Sequence, residues 1–148
     1  MEEITIRNAN PDDFPMILEL FREFAAFENL SEMMVNSVDR MMEEQEHFHC
    51  FVAETGRKEI IGYATWFFSY YTWTGKSIYM DDLFVKPEYR GKGIGLRLIN
   101  RVIEFGKNNR CHKLRWQVSN WNQHAIGFYK SLGAVINPVE QNCDLSLD

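Results

Sequence analysis

A glycine-rich turn with basic side chains lies in the segment YRGKGIGLRL, residues 89–98. Its glycines occupy every second position from Gly91 to Gly95, and a helical apolar pattern begins directly behind them. Glycine lets a backbone approach a ligand closely, and a helix N-terminus directs unpaired N–H groups at an anion. The turn is therefore predicted to bind an anion such as pyrophosphate. Three basic side chains add positive charge: Arg90, Lys92 and Arg97.

Two familiar phosphate-binding patterns do not fit this turn. The dinucleotide pattern G-x-G-x-x-G would need a glycine at Leu96 or Leu98. The P-loop pattern has a partial match at Gly75–Ser77, but Tyr70 stands where its first glycine is required. That match also lies between two predicted strands instead of before a helix. Glycines alone leave a surface loop with incidental charges as the alternative.

The apolar patterns around the turn predict a mixed α/β domain. The middle strands form an antiparallel meander with a hairpin turn at 55–59, and a βαβ unit that contains the glycine turn follows them. Strands are predicted at 4–7, 48–54, 60–71, 77–85, 113–119 and 143–147. Helices are predicted from Asp12 or Asp13 to about 28, at about 36–46, from Gly95 to about Lys107, and at 122–133.

The composition suits a single domain over residues 1–148, with 45% hydrophobic and 25% charged residues. With a net charge of −5, the sequence lacks the excess of basic residues typical of nucleic-acid binding, and the negative charge favours cationic partners. No apolar run reaches the length of about 18 residues that predicts a membrane span. His47 and His49 alternate on one strand without a third ligand, so no metal is expected. Three widely spaced cysteines predict free thiols in a reducing, cytoplasmic compartment: Cys50, Cys111 and Cys143.

The spacing from Arg90 to Gly95 matches the pyrophosphate motif R/Q-x-x-G-x-G/A, and here the sequence resembles the GNAT superfamily of N-acetyltransferases. Within it, the sequence is most similar to the spermidine/spermine (diamine) and thialysine acetyltransferases. The resemblance implies a GNAT fold and direct transfer of acetyl from acetyl-CoA to a primary amine in a ternary complex. The matching patterns are IR-A---D at 6–13, A-FE at 25–28, W-GK at 73–76, YMDDLFV-PEYRGKGIG at 79–95, WN at 121–122 and FYK--GA at 128–134.

The resemblance also implies which residues hold acetyl-CoA. The strand before the turn lends backbone groups to the pantetheine arm, and the turn with the helix start holds the pyrophosphate. Asn122 matches a cofactor contact at the start of the last helix, where asparagine also suits a plain N-cap. The implied set is Leu83, Phe84, Val85, Arg90, Gly91, Lys92, Gly93, Ile94, Gly95, Leu96, Asn122, Ala125, Tyr129 and Lys130.

Two catalytic roles follow from the resemblance. Tyr129 aligns with a tyrosine that protonates the leaving thiolate, although a core aromatic is the alternative for it. An alkylammonium has a pKa of about 10, so a carboxylate must first collect its proton, directly or through water. Asp81 stands at the position assigned to this amine, where relatives usually carry the longer glutamate. Because strand neighbours point to opposite faces, Asp81 and Asp82 are predicted not to form a close pair.

The acceptor site is implied to include aromatic, acidic and polar side chains from four parts of the chain. Glu28 matches a position that faces the distal cation of the acceptor, although a solvated glutamate is the alternative. Trp73 is expected to cover an aliphatic chain or to bind a cation through its ring, with a hydrophobic anchor as the alternative. The implied set is Phe27, Glu28, Trp73, Asp81, Asp82, Arg115, Trp116 and Gln117.

The C-terminal segment departs from the diamine branch. The segment at 138–148 lacks the acid-glycine-tryptophan pattern of that branch, and Gln141 stands at an acidic position. The acceptor therefore stays open among small cationic amines, an aminoglycoside or a protein amine, and a non-catalytic CoA- or polyamine-binding module is a further alternative. The resemblance also implies a homodimer whose acceptor sites use both chains.

Overall fold

Five strands form one sheet, and their order in space follows their order in the chain. The structure, a computed structural model, describes residues 2–148. The first four strands are antiparallel neighbours, and the fifth runs parallel to the fourth. The strands are β1 (Ile4–Asn8), β2 (His49–Thr55), β3 (Ile60–Tyr71), β4 (Gly75–Val85) and β5 (Leu114–Arg115). The predicted mixed sheet, with its meander and βαβ unit, is confirmed.

Four α-helices accompany the sheet: α1 (Phe14–Phe27), α2 (Val38–Glu43), α3 (Ile94–Asn108) and α4 (Gln123–Ser131). The predicted start of the first helix is confirmed, because one 3₁₀ turn at Pro11–Asp13 leads directly into α1. Asn10 and Asp13 form a reciprocal capping box there, in which Asp13 Oδ2 accepts a 2.8 Å hydrogen bond from the Asn10 N–H.

Three predicted elements are shorter or missing. The helix predicted at about 36–46 covers only α2, which ends before one 3₁₀ turn at Gln45–His47. The strand predicted at 113–119 is reduced to β5, because only Ile78 and Tyr79 of β4 pair with it. The strand predicted at 143–147 is wrong in the described chain: Leu145 and Leu147 are 86% and 94% exposed, so that segment buries neither face.

The two faces of the sheet are covered by different helices. Phe21 and Phe24 of α1 pack their rings on Tyr63 and Phe84, at centroid distances of 5.1 and 5.3 Å. On the opposite face, Phe105 of α3 contacts the fully or nearly buried rings of β2 and β3, with its centroid 4.5 Å from that of Trp66 and 6.0 Å from that of Phe51. Each face of β4 therefore belongs to a distinct helix.

The chain divides into two compact units. One ends at Trp116 and contains the whole sheet with α1, α2 and α3. The other, Gln117–Asp148, contains α4. A single domain over the whole chain stays a prediction. None of the helices in residues 2–148 has the length and apolar character needed to cross a membrane.

Candidate active site

A β-bulge in β4 decides where the two adjacent aspartates lie. Asp82 pairs with Thr65 of β3, while Met80 pairs with the next residue, Trp66, so Asp81 has no register partner. Met80 and Trp66 belong to the face of α3, where Trp66 contacts Phe105. The extra residue inverts the alternation of β4, and Asp82 therefore lies on the face of α1. The strict alternation assumed in the sequence prediction does not hold at this point.

Two hydrogen bonds anchor Asp82 to β3. The Tyr63 hydroxyl donates to Asp82 Oδ2 at 3.0 Å, and the Asp82 N–H donates to Thr65 Oγ1 at 3.0 Å. Tyr63 is fully buried, and burial raises the pKa of its hydroxyl well above the ordinary value, so this group acts as a donor at neutral pH. The carboxylate of Asp82 is thus held by a protonated phenol.

The surroundings of Asp82 raise the pKa of its carboxyl group to near neutral pH. Burial, followed by the charge of Asp81 and then that of Glu28, raises the pKa of Asp82 from 3.8 to about 7. The hydrogen bond from Tyr63 opposes that rise. Burial also raises the pKa of Asp81, which is the more exposed aspartate and makes no hydrogen bond or ion pair through its carboxylate with any described residue. Glu28, Asp81 and Asp82 therefore form one acidic cluster, in which Asp82 is the group that most readily holds a proton.

The glycine turn forms the N-terminus of α3. Gly91 and Gly93 have φ angles of 77° and 78°, in the left-handed region that favours glycine, and Gly93 is the N-cap. The first helical bond runs from the Arg97 N–H to the Gly93 carbonyl at 3.0 Å, and no side chain caps the helix. The next three N–H groups, of residues 94–96, have no carbonyl partner within the helix.

This donor set fits a phosphate group. The residues of the turn are exposed, and a Cβ built on Gly91 or Gly93 would meet no atom within 4 Å, so the space above the N–H groups is open. Lys92 lies beside the turn, with its Nζ 5.3 Å from the ring centroid of Tyr89. A helix N-terminus combines a positive dipole end with free donors, and the geometry is therefore suited to the pyrophosphate of a CoA molecule.

The edge of β4 that faces β5 carries the predicted pantetheine contacts. Pairing between these strands is limited to Ile78 with Leu114 and Tyr79 with Arg115, so β4 has no strand partner on this side from Met80 onward among the described residues. Extended backbone with an open edge can pair with an extended amide-containing chain. The predicted residues Leu83, Phe84 and Val85 lie on this stretch.

Arg90 links the turn to the end of α1. Its Nε donates to the Val85 carbonyl at 2.8 Å, so that predicted pantetheine contact is already engaged by a protein donor. The guanidinium carbon lies 5.0 Å from the ring centroid of Phe27 and 5.5 Å from that of Phe84. Arg90 therefore connects a predicted cofactor residue with a predicted acceptor residue.

The remaining predicted acceptor residues of the first unit fall into two groups. Glu28 caps the C-terminus of α1, and its charge acts on Asp82, so the two carboxylates face one cluster. Trp73 lies in the β3–β4 turn and is 100% exposed, roughly 20 Å along the strand from Asp82. Arg115 pairs with Tyr79, between that end and Asp82, and its guanidinium carbon lies 4.3 Å from the ring centroid of Tyr71. Half-buried Trp116 follows it.

In the second unit, the predicted residues surround α4. Asn122 is its N-cap, and the Asn122 Oδ1 accepts a 3.1 Å hydrogen bond from the Ala125 N–H. Tyr129 is buried, its ring 5.5 Å from that of Phe128, whereas Lys130 is exposed. Gln117 donates a side-chain hydrogen bond to Asn142.

Sequence reasoning missed Tyr63 and Thr65, the two partners of Asp82. Both lie in the aromatic strand β3, and the ring of Tyr63 is fully buried in the core. The signal that reveals their second role is the bulge at Asp81, because only the inverted alternation brings Asp82 to their face. No feature of the local sequence marks that bulge.

The profile of the Acetyltransferase (GNAT) family matches residues 14–134. Together with the mixed sheet, the open β4 edge and the uncapped N-terminus of α3, this match defines the class: the chain belongs to the GNAT family and is an acetyl-CoA-dependent N-acetyltransferase. The identification reached from the glycine motif is confirmed.

Named relatives lie in the branch that the sequence indicated. Thialysine N-epsilon-acetyltransferase of Bos taurus is 40% identical over 145 residues, which cover 90% of this chain and 85% of that one. Spermidine/spermine N(1)-acetyltransferase-like protein 1 of Homo sapiens is 32% identical, over 91% of this chain and 21% of its own length. The chain is thus homologous to thialysine and diamine acetyltransferases.

Solved structures share the fold. An aminoglycoside acetyltransferase from an uncultured soil metagenomic sample, solved in complex with sisomicin, superposes with a TM-score of 0.80 at 22% identity. The superposition covers 97% of each chain. At this identity the likeness concerns the fold alone.

Proposed function

We propose that this enzyme acetylates a primary amine of a small cationic acceptor, namely a diamine, a polyamine or a lysine analogue. The observation that carries the proposal is the acidic cluster of Glu28, Asp81 and Asp82 at the end of α1 and the bulge of β4, in which the charges of Glu28 and Asp81 both act on Asp82. Such a cluster attracts a cation and repels an anionic acceptor. The names of the homologous enzymes support the same class.

The chemistry begins with the acceptor ammonium, which must lose a proton before its nitrogen can attack. A carboxylate at the bulge collects that proton, directly or through water, with Asp81 at the position that the family resemblance assigns to the amine. The free amine then attacks the thioester carbonyl in a ternary complex. Holding the two reactants together supplies much of the rate. None of the three cysteines lies in the matched motifs, so no acetyl-cysteine step is proposed.

Tyr129 is the proposed general acid. As the C–S bond breaks, the sulfur gains a negative charge, and a phenol within hydrogen-bond reach can protonate it. The nitrogen loses its second proton as the amide forms, and the products are the N-acetyl amine, CoA thiol and one proton released to solvent. The burial of Tyr129 suits a group that works away from bulk water.

Acetyl-CoA supplies the activated acetyl group, and residues of three elements are proposed to hold it. The N–H groups at the start of α3 and the side chain of Lys92 bind the pyrophosphate. The open edge of β4 pairs with the pantetheine arm, where an N–H near residues 83–85 also polarises the thioester carbonyl. The start of α4, at Asn122 and Ala125, with Tyr129 and Lys130 further along, completes the proposed set.

A homodimer is part of the proposal. Trp73 is fully exposed and lies roughly 20 Å along β4 from the acidic cluster, too far to reach an acceptor bound there in the same chain. Large exposed aromatic residues accompany it: Phe67 and Phe68 at 43% and Tyr70 at 77%. Exposed aromatic residues at one end of a strand pair are typical of a protein interface, across which Trp73 can serve the site of a second chain.

The test is release of CoA thiol from acetyl-CoA with a panel of amines: spermidine, spermine, putrescine, lysine, thialysine, an aminoglycoside and a histone-tail peptide. Turnover with the diamines, polyamines or lysine analogues is expected. Turnover only with the aminoglycoside or the peptide would reject the proposed acceptor class. Silence with every amine, while acetyl-CoA still binds tightly, would favour a non-catalytic binding module.

A further inference from the structure

We propose that Asp82, rather than Asp81, receives the proton of the acceptor ammonium, and that Tyr63 is the positioning residue that holds Asp82 for this step. The inference rests on the proposed acetyl transfer to a cationic amine and deepens it. It assigns to Tyr63, a residue of the sheet core, a function in the reaction.

The geometry distinguishes the two aspartates. Asp82 is fixed at both its main chain and its carboxylate, by the bonds to Thr65 Oγ1 and from the Tyr63 hydroxyl, each 3.0 Å long. Asp81 is the extra residue of the bulge and has no comparable anchor among the described residues. A proton acceptor must be held in one defined place, and of the two aspartates Asp82 is the one that is anchored in this way.

Tyr63 can hold this position because its ring is packed in the core. The ring is fully buried, 5.1 Å from Phe21 and 6.0 Å from Phe84 between centroids. Its hydroxyl reaches only one oxygen, Oδ2, so the Tyr63 bond leaves the second oxygen of Asp82 available. A half-buried carboxylate with one free oxygen can accept a proton from a ligand.

The charges around Asp82 suit this role. The groups that interact with it electrostatically come from β2, β3, β4 and the end of α1: Cys50, Tyr63, Tyr79, Asp81 and Glu28. Its pKa of about 7 lies near the pH at which a general base is most effective. The hydrogen bond from Tyr63 favours the ionised form, so it keeps Asp82 able to accept a proton beside two other carboxylates.

The proton balance is simple. The first proton passes from the ammonium to the free oxygen of Asp82, and the neutral amine forms its C–N bond as the C–S bond breaks. Asp82 then returns its proton to solvent. The nitrogen loses its second proton as the amide forms, and the thiolate gains one proton, so one proton in total is released. No oxidant, reductant or metal enters the step.

The experiment compares pH profiles of kcat/KM for the wild type and for Tyr63→Phe with the best amine of the panel. Loss of the hydroxyl raises the pKa of Asp82, so the acidic limb should move to higher pH, with several-fold lower activity near pH 6 and a smaller loss near pH 9. Asp81→Asn removes a neighbouring negative charge and should move the limb to lower pH. Thr5→Val, which also removes one hydroxyl, lies at an exposed position of β1 and is the control; it should leave the limb in place.

Asp82→Asn supplies a second measurement that does not depend on the folding of the Tyr63 variant. It should lose the acidic limb and lower kcat by about 10²–10⁴-fold, the usual contribution of a general base. Retention of the wild-type limb and turnover in Asp82→Asn would overturn the inference while the acetyl transfer stands. An unmoved limb in a less stable Tyr63→Phe would reduce Tyr63 to a structural residue. Silence of the wild type with all amines would instead refute the proposed function, and this inference with it.

Discussion

The main-chain N–H of Asp82 donates a 3.0 Å hydrogen bond to the side-chain Oγ1 of Thr65, directly opposite it on β3. The threonine side chain accepts this hydrogen bond at the point where the pairing of β3 and β4 loses its regular alternation, because Asp81 is inserted just before this pair. The bulge turns Asp82 from the α3 face to the α1 face, where Tyr63 and Glu28 also act on it. One inserted residue thus assembles the acidic cluster on which the proposed chemistry depends.

The raised pKa of Asp82 predicts a pH-dependent stability. Its pKa is about 7 in the folded chain and 3.8 without that environment, so the folded state binds the proton more tightly. The associated stabilisation is fully present below pH 3.8 and is lost as pH rises through about 7. Asp82→Asn has no carboxyl group to ionise, so its stability relative to the wild type should rise as the pH is raised from 5 to 8.

Urea unfolding at both pH values measures this difference. Asp144→Asn, at an exposed position, serves as the control for the change of charge alone. A relative stability of Asp82→Asn that is the same at pH 5 and pH 8 would show that Asp82 does not titrate between them. A relative gain at pH 5 instead would reverse the assigned sign.

Tyr129→Phe tests the proposed general acid. The substitution removes only the hydroxyl, so turnover should fall by about 10²–10⁴-fold, while the Kd for acetyl-CoA stays near the wild-type value. Calorimetry with acetyl-CoA and thiol release with the best amine give the two quantities. Unchanged turnover would remove Tyr129 from the mechanism. Phe128→Leu, at the neighbouring ring, shows how much of any loss comes from altered packing.

Gly93→Val tests the anion site at the start of α3. Valine at a φ of 78° costs about 1–2 kcal/mol of stability, and its side chain occupies the open space above the helix N-terminus. Binding of acetyl-CoA should therefore be lost or weakened at least tenfold, as measured by calorimetry. Gly56→Val is the matched control, because Gly56 also has no neighbour within 4 Å of an added Cβ and lies in the β2–β3 turn. Normal binding by the Gly93 variant would place the pyrophosphate elsewhere.

Glu28→Gln tests the attraction of the distal cation. The substitution removes one negative charge from the cluster, so the KM for diamines should rise several-fold while the KM for a monoamine changes little. Glu19→Gln, on the exposed part of α1, is the control for a lost helix carboxylate. An equal rise for both kinds of amine would mean that Glu28 acts on the reacting amine or on the fold, and not on a second cation.

The local chemistry of the sequence predicted most of the fold. The apolar periodicity located α1, α3 and the long strands because each buries a continuous face. Gly133 stands at the end of the predicted helix 122–133, and with a φ of 90° it forms a left-handed end of α4, in which the Ala134 N–H donates to the Tyr129 carbonyl. The strand predicted at 143–147 is wrong because a strand needs a pairing partner, and an alternating sequence alone supplies none.

By itself, the sequence determined the family, the anion-binding turn and the identity of the acidic residues, because each depends on residue types at fixed spacing. Tertiary structure decided which groups interact. Asp82 meets Tyr63 only through the bulge, and Arg90 meets Phe27 only because α1 ends beside the turn before α3. Burial, and after it the charges and hydrogen bonds contributed by other parts of the chain, depend on register and packing. Together they set the pKa of Asp82, where the sequence shows only two neighbouring aspartates.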